Sequence, residues 1–185
     1  YHIVEALTRW IAPILSFTAE EIWQALPGER SDTVFTEQWY DGLTALDETQ
    51  KMNSAYWARM MEVRSAVAKQ LEQLRNDGVV KGSLTAEVRL YADGELFQQI
   101  QALQDELRFV LITSYANVKP TSEKTDTALT TDVAGLWVEA GAADKPKCAR
   151  CWHHRDDVGA HSEDTDLCQR CIDNVYGEGE LRRFA

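Results

Sequence analysis

The stretch Cys148-Ala149-Arg150-Cys151, followed after sixteen residues by Cys168-Gln169-Arg170-Cys171, holds every cysteine of the chain. Each Cys-x-x-Cys can fold as a knuckle that aims both sulfurs at one point. Two knuckles complete a tetrahedral thiolate cage, the donor set that suits zinc. Four thiolates leave no open coordination position, so one structural Zn2+ held by Cys148, Cys151, Cys168 and Cys171 is predicted. A mixed site in which His153, His154 or His161 replaces one cysteine stays open; otherwise His153 and His154 read as solvated loop residues. A c-type haem motif would put His directly after Cys151, where Trp152 stands. A secreted disulfide scaffold would spread its cysteines along the chain. A segment this short builds little core, so metal binding is expected to supply most of its folding free energy.

Trp152 abuts the first knuckle, with Arg150 and Arg155 on either side. An aromatic ring on a rigid knuckle beside guanidinium groups can stack on an unpaired base while arginine meets phosphate. The competing reading is that Trp152 caps the apolar side of the metal site.

Outward from the cysteines the pattern becomes helical, then mixed. Glu139 to Lys147 reads as a linker. Upstream, Met52, Tyr56, Met60, Val63, Val67, Leu71 and Leu74 recur at steps of three and four. That predicts one long helix from about Asp47 to Asn76, ended by Asn76-Asp77-Gly78. Leu84, Ala86, Val88 and Leu90 alternate with polar neighbours and predict a strand. Asp93 is the expected cap of a second helix carrying Leu96, Ile100, Leu103, Leu107, Val110 and Leu111. A further strand is expected within Leu129 to Val138. At the start of the chain, Ile3, Leu7, Trp10, Ile11, Ile14 and Leu15 form an apolar stripe, with Pro13 ending or kinking that helix. Thr18 and Glu21 have the spacing of a capping box, with Phe17 and Ile22 as its staple, opening a helix that stops at Pro27-Gly28. Trp39, Tyr40 and Leu43 are expected to pin the following loop.

These elements predict a mainly α chain with a small α+β unit. Residues 1–46 are read as the end of a helical bundle, residues 47–140 as a helix–strand–helix–strand unit, and residues 141–185 as a zinc ribbon or knuckle module. The chain has 185 residues with 44% hydrophobic and 26% charged, the range of a folded globular protein. It opens on Tyr1 and its first methionine is Met52, so it is read as a fragment of a longer protein. No apolar run is long enough to span a membrane, so no membrane partner is expected. The net charge of −11 excludes a broad non-specific phosphate-binding surface. The final 45 residues carry 7 basic against 9 acidic residues and are the least acidic third, so nucleic-acid contact would be local. No Gly-rich phosphate cradle or Ser-His-Asp arrangement is present, and Glu20, Glu21, Asp156 and Asp157 read as solvated or capping carboxylates. No catalytic residue is assigned.

Three stretches together resemble the C-terminal piece of bacterial isoleucyl-tRNA synthetases. The first is Thr8-Arg9-Trp10-Ile11-Ala12-Pro13-Ile14-Leu15-Ser16-Phe17-Thr18-Ala19-Glu20-Glu21-Ile22-Trp23, similar to the anticodon-binding helical domain of class I synthetases. The second is Asp105-Glu106-Leu107-Arg108-Phe109-Val110-Leu111. The third runs from Cys148 through Cys171 to Arg182-Arg183-Phe184-Ala185 and looks like the zinc-bearing tail of the family. Lys51-Met52-Asn53-Ser54 resembles the family's ATP-binding signature loop but lacks its second Lys, and is read as helix spacing. The resemblance implies a role in holding the anticodon region of isoleucine tRNA. Arg150 and Trp152 are then the implied RNA contacts. It also implies a cytoplasmic, monomeric parent whose ATP site and editing centre lie in upstream domains of the same chain, so the fragment alone is expected to be inactive. Two other classes share parts of the pattern: a zinc ribbon that binds protein, and the zinc finger of formamidopyrimidine-type DNA glycosylases.

Overall fold

The computed structural model describes residues 1–184. They form two compact units, Tyr1–Gln50 and Lys51–Ala185.

The first unit is built on helices α1 (His2–Ile11) and α2 (Ser16–Ala25) and a 3-10 turn at Val34–Thr36. Pro13 has no amide hydrogen to continue α1, and the chain turns through Ile14 and Leu15, whose amides both bond the Ile11 carbonyl. The capping box does not form. The ladder of α2 already starts at Leu15, which accepts from the Ala19 amide at 2.8 Å, so Thr18 lies inside the first turn. Phe17 is 89% exposed and staples nothing.

The apolar stripe of α1 also points the other way from its expected direction. Ile3, Leu7, Trp10 and Ile14 are exposed, while Glu5, Ala6, Thr8 and Ala12 are buried. The core of this unit is Ala12, Ala19, Trp23 and Val34. The Trp23 ring lies between two guanidiniums, Arg9 at 4.7 Å and Arg30 at 4.5 Å. Buried Glu5 bridges both arginines. Of the two readings given for Glu20, the capping one holds: it accepts from the Thr33 hydroxyl at 2.8 Å and from the Val34 amide, the first of the 3-10 turn, at 3.1 Å. In the loop expected to be pinned by three side chains, Trp39 and Leu43 are exposed, and Tyr40 alone makes the attachment, to His2 and over Arg9.

The second unit is a four-stranded sheet with helix α3 (Ser54–Asn76). The helix is shorter than expected. Asn53 accepts from the Tyr56 amide at 3.0 Å and so caps it one residue after Met52. Its stripe is correct: Tyr56, Met60, Val63, Val67 and Leu71 are buried. Gly78, at φ +74, lets the chain fold back so that Val79 bonds the Leu74 carbonyl.

The strands are β1 (Ala86–Tyr91), β2 (Tyr115–Lys119), β3 (Leu129–Thr130) and β4 (Trp137–Ala142), in the order β2-β1-β4-β3. β1 and β2 are parallel, which requires a crossover. The residues expected to make one helix supply it in two pieces, α4 (Gly94–Gln101) and α5 (Leu107–Leu111), separated by a 3-10 turn. Asp93 is the N-cap residue of α4 as expected, but its carboxylate bonds Thr121, just past β2, rather than a helix amide. The first four residues of the segment expected to be a linker, Glu139 to Ala142, are strand. β4 pairs antiparallel with β1 from Ala86↔Ala142 to Tyr91↔Trp137. The core packs α3 against Val88, Leu90, Ile100, Leu103, Leu107, Leu136 and Val138.

Candidate metal centre and its flank

The four cysteines converge although Cys148 and Cys171 lie more than twenty positions apart. The first knuckle is a tight hairpin off the end of β4. Lys147 pairs with His154, the Cys148 amide bonds the His153 carbonyl at 2.9 Å, and the Trp152 amide bonds the Cys148 carbonyl at 3.0 Å. Trp152 closes the turn at φ +65, a conformation uncommon for a non-glycine residue. The second knuckle is the start of helix α6 (Gln169–Tyr176), with Cys168 at its N-cap and Cys171 in its first turn. The Ala149 amide joins the two knuckles by bonding the Asp166 carbonyl at 2.9 Å.

All four sulfurs lie within 4.8 Å of one another, and Cys151 and Cys168 are 3.7 Å apart. A tetrahedral zinc–thiolate centre requires sulfurs about 3.8 Å apart, from a metal–sulfur distance of about 2.3 Å. The donor set and its spacing therefore fit the ion. Cys148, Cys168 and Cys171 are buried and Cys151 is half-buried, with Val158 and Leu167 packed against them. Burial opposes ionisation of the Cys148 thiol, but the amides of Cys151, Cys168 and Arg150 face its sulfur and bring its pKa down to about 6. Burial holds the Cys151 and Cys168 thiols above the usual range.

No histidine joins this cluster among the described residues. His154 turns Nδ1 to the Lys145 carbonyl, and His161 lies beside Asp164. His153 is not a solvated loop residue. It is 7% exposed, packed on the Phe109 ring, with Nδ1 facing Arg108 Nη1 at 3.3 Å. Since arginine only donates, Nδ1 accepts. Burial, then the charges of Arg108, Arg170, Arg155 and Arg182, drive its pKa down to about 4, so it is neutral at pH 7.

Phe109 is the hub of the flank. Arg182 lies 3.7 Å from its ring centroid, Arg108 4.3 Å and Arg170 5.1 Å. Glu180 pairs with both Arg170 and Arg182, and Asp105 pairs with Arg108. The Glu106 carboxylate accepts from the amides of Arg183 and Phe184, tying the end of the chain to α5. Ser114 makes the second tie: its hydroxyl donates to the Leu84 carbonyl at 2.5 Å and accepts from the His154 amide at 2.6 Å. None of these residues was assigned a role from sequence. The signals available were the Asp105–Leu111 and Arg182–Phe184 stretches, which carried the family resemblance without a role for any one residue. Trp152, by contrast, stands 59% exposed with Lys147 Nζ 5.2 Å from its ring, and Arg150 is exposed beside it.

Residues 1–90 match the family of the anticodon-binding domain of tRNA ligase, and residues 145–174 match the zinc finger found in FPG and IleRS. The whole chain is 55% identical to the isoleucine–tRNA ligase of Methylococcus capsulatus, aligned over 184 residues. The chain is similar over its full length to one part of isoleucine–tRNA ligases. It is likewise 54% identical to the isoleucine–tRNA ligases of Vibrio campbellii and Edwardsiella ictaluri. In each case all of the chain is matched but only 20% of the relative, so it spans about a fifth of the isoleucine–tRNA ligases it resembles. The zinc-finger family is found in both FPG and IleRS, and the relatives matched over the whole chain are isoleucine–tRNA ligases. Among the described residues, no helix is long and apolar enough to cross a membrane.

Proposed function

We propose that this chain holds the anticodon region of isoleucine tRNA for an isoleucine–tRNA ligase. Activation of isoleucine by ATP, its transfer to tRNA and hydrolysis of mischarged valine belong to upstream domains of the same polypeptide. The parent is read as a cytoplasmic monomer. Cys148, Cys151, Cys168 and Cys171 are the ligands of one structural zinc. The ion, when bound, fixes the two knuckles relative to each other and takes no part in the ligase chemistry. The chain's own residues do the work at the surface. The hairpin holds Trp152 outward as a stacking platform for an unpaired base, and Arg150 and Lys147 supply positive charge next to it.

The observation that carries this reading is the exposed indole at a left-handed turn of the knuckle, where a residue serving only as a lid would be buried. The test is Trp152→Ala in the full-length parent. Isoleucine-dependent ATP–pyrophosphate exchange is expected to persist and zinc to stay bound. Aminoacylation is expected to fall, by the ~1–3 kcal/mol that base stacking on an aromatic contributes. Unchanged aminoacylation would remove Trp152 from RNA recognition.

A further inference from the structure

We propose that Arg150 donates a hydrogen bond to the Cys171 sulfur, and that this bond makes the zinc centre less reactive and slower to lose its metal. The proposal rests on the zinc reading above. A divalent ion in four thiolates leaves excess negative charge on the sulfurs, and that charge makes them nucleophilic. Donors around the ligands draw it off and orient them. The Cys148 sulfur accepts from the Cys168 amide at 3.4 Å. The sulfur of Cys171 meets Arg150 Nη1 at 3.6 Å.

The two knuckles share the form Cys-x-Arg-Cys, so Arg150 and Arg170 hold equivalent positions in sequence. The fold gives them different work. Arg170 is bound to Glu180 at 2.6 Å and lies over Phe109, leaving it tied to the flank. Arg150 instead reaches from the first knuckle to the last ligand of the second. Only one arm of its planar fork is needed for the sulfur, so the remaining N–H groups stay available at the surface. Arg150 is thus a positioning residue for the metal ligand in addition to any contact with RNA.

The test uses the whole chain carrying Arg150→Ala or Arg150→Lys, loaded with cobalt(II) for spectroscopy and with zinc for release. Alkylation by N-ethylmaleimide, which is neutral and so indifferent to the charge of Arg150, drives the release. The sulfur forms a carbon–sulfur bond to the maleimide, the maleimide carbanion takes a proton from water, and the freed zinc is read with a coloured chelator. Arg150→Ala is expected to keep the tetrahedral ligand-field bands of four thiolates. Its sulfur-to-cobalt charge-transfer band should move to lower energy, because a sulfur lone pair has lost its donor. Zinc release should be about tenfold faster, the low end of what loss of an outer partner causes. Arg150→Lys should fall between the two, and it decides the matter if Arg150→Ala loses the tetrahedral pattern. Charge-transfer energy and release rate equal to those of the unaltered chain would overturn the proposal. Failure of the unaltered chain to take up either metal would overturn the zinc reading itself, a separate result.

Discussion

Trp152 and His153 are neighbours with opposite fates, and the left-handed turn at Trp152 explains both. It rolls the indole out to 59% exposure and the imidazole in to 7%. Sequence alone could not assign this, because a single φ value decides which of two adjacent rings faces the protein. Phe109 makes a related point. Its ring is shared by three guanidiniums and His153, and each arginine over a ring contributes ~0.5–2 kcal/mol. Arg182→Ala is therefore expected to loosen the end of the chain while the four-cysteine centre keeps its metal. Hydrogen exchange would show faster exchange at Arg183 and Phe184, whose amides bond Glu106, with Cys148 and Ile172 unchanged; equal protection at all four would mean that Arg182 adds nothing. In the first unit the decisive residue is Glu5. Burial alone would raise its pKa, but bonds from Arg9, Tyr1 and Arg30 bring it down to about 2, below the usual carboxylate range. A depressed carboxylate stabilises the fold above its unfolded pKa, and this support fades as pH falls through about 2. Glu5→Gln would remove a buried anion and leave Arg9 and Arg30 over Trp23 without it, a change of about 3 kcal/mol. Exchange of the Trp23 indole N–H, which bonds the Ser31 carbonyl at 2.9 Å, reports it locally. Unaltered exchange in Glu5→Gln at neutral pH would show that the ion cluster contributes nothing.

At the scale of elements, what the sequence disclosed tracks how periodic each segment is. The stripe of α3 was legible over its buried face because five large side chains repeat on one side, although its start depended on Asn53, a cap that hydrophobic periodicity does not report. β1 was legible from its alternation. β2 was not: Tyr115-Ala116-Asn117-Val118-Lys119 buries only Ala116 fully, so its strand character comes from pairing in parallel with β1. The start of β4 at Trp137 and Val138 was legible, but Glu139-Ala140-Gly141-Ala142 has linker composition and owes its strand form to the hydrogen bonds of its partner strand. The stripe on α1 was seen, but its direction was not; the ion pairs of Glu5 lock the polar side inward. The metal site was the most legible feature because cysteine spacing is a chemical constraint. The flank around Phe109 was silent because arginines from α5, α6 and the end of the chain meet there only after folding. β4 leads through residues 143–146 into the first knuckle, which makes it the physical link between sheet and knuckle. Gly141→Pro is expected to break it, since proline in a strand that pairs with β1 on one side and β3 on the other removes an amide and restricts the chain. Loss of the sheet's exchange protection together with retained cobalt spectra would be the expected pair of readings; full protection would show that the strand tolerates the break.

Across the whole molecule, the two kinds of stabilisation are separable. The second unit has a conventional apolar core between α3 and the sheet, whereas the cysteine segment has little beyond Val158, Leu167 and its sulfurs. Binding a metal to thiolates that must first lose protons should therefore drive the folding of residues 145–175 and be coupled to pH. Removing zinc with a chelator is expected to melt that segment and leave the core standing. Far-UV circular dichroism should change little, because α6 has 8 residues and α3 has 23. Hydrogen exchange should lose protection at Cys148, Ala149, Trp152 and Ile172 while Val88 and Leu90 keep theirs. Protons should be released when zinc is added back, measurable by calorimetry in buffers of different ionisation enthalpy, and affinity should rise with pH. The Phe109 cluster lies between the two regimes, since His153 comes from the hairpin and Arg170 from α6, so its contacts should open with the metal site. Global loss of helix on chelation would show instead that the zinc supports the core through that cluster, and the division into a metal-built tip and a self-sufficient core would be wrong.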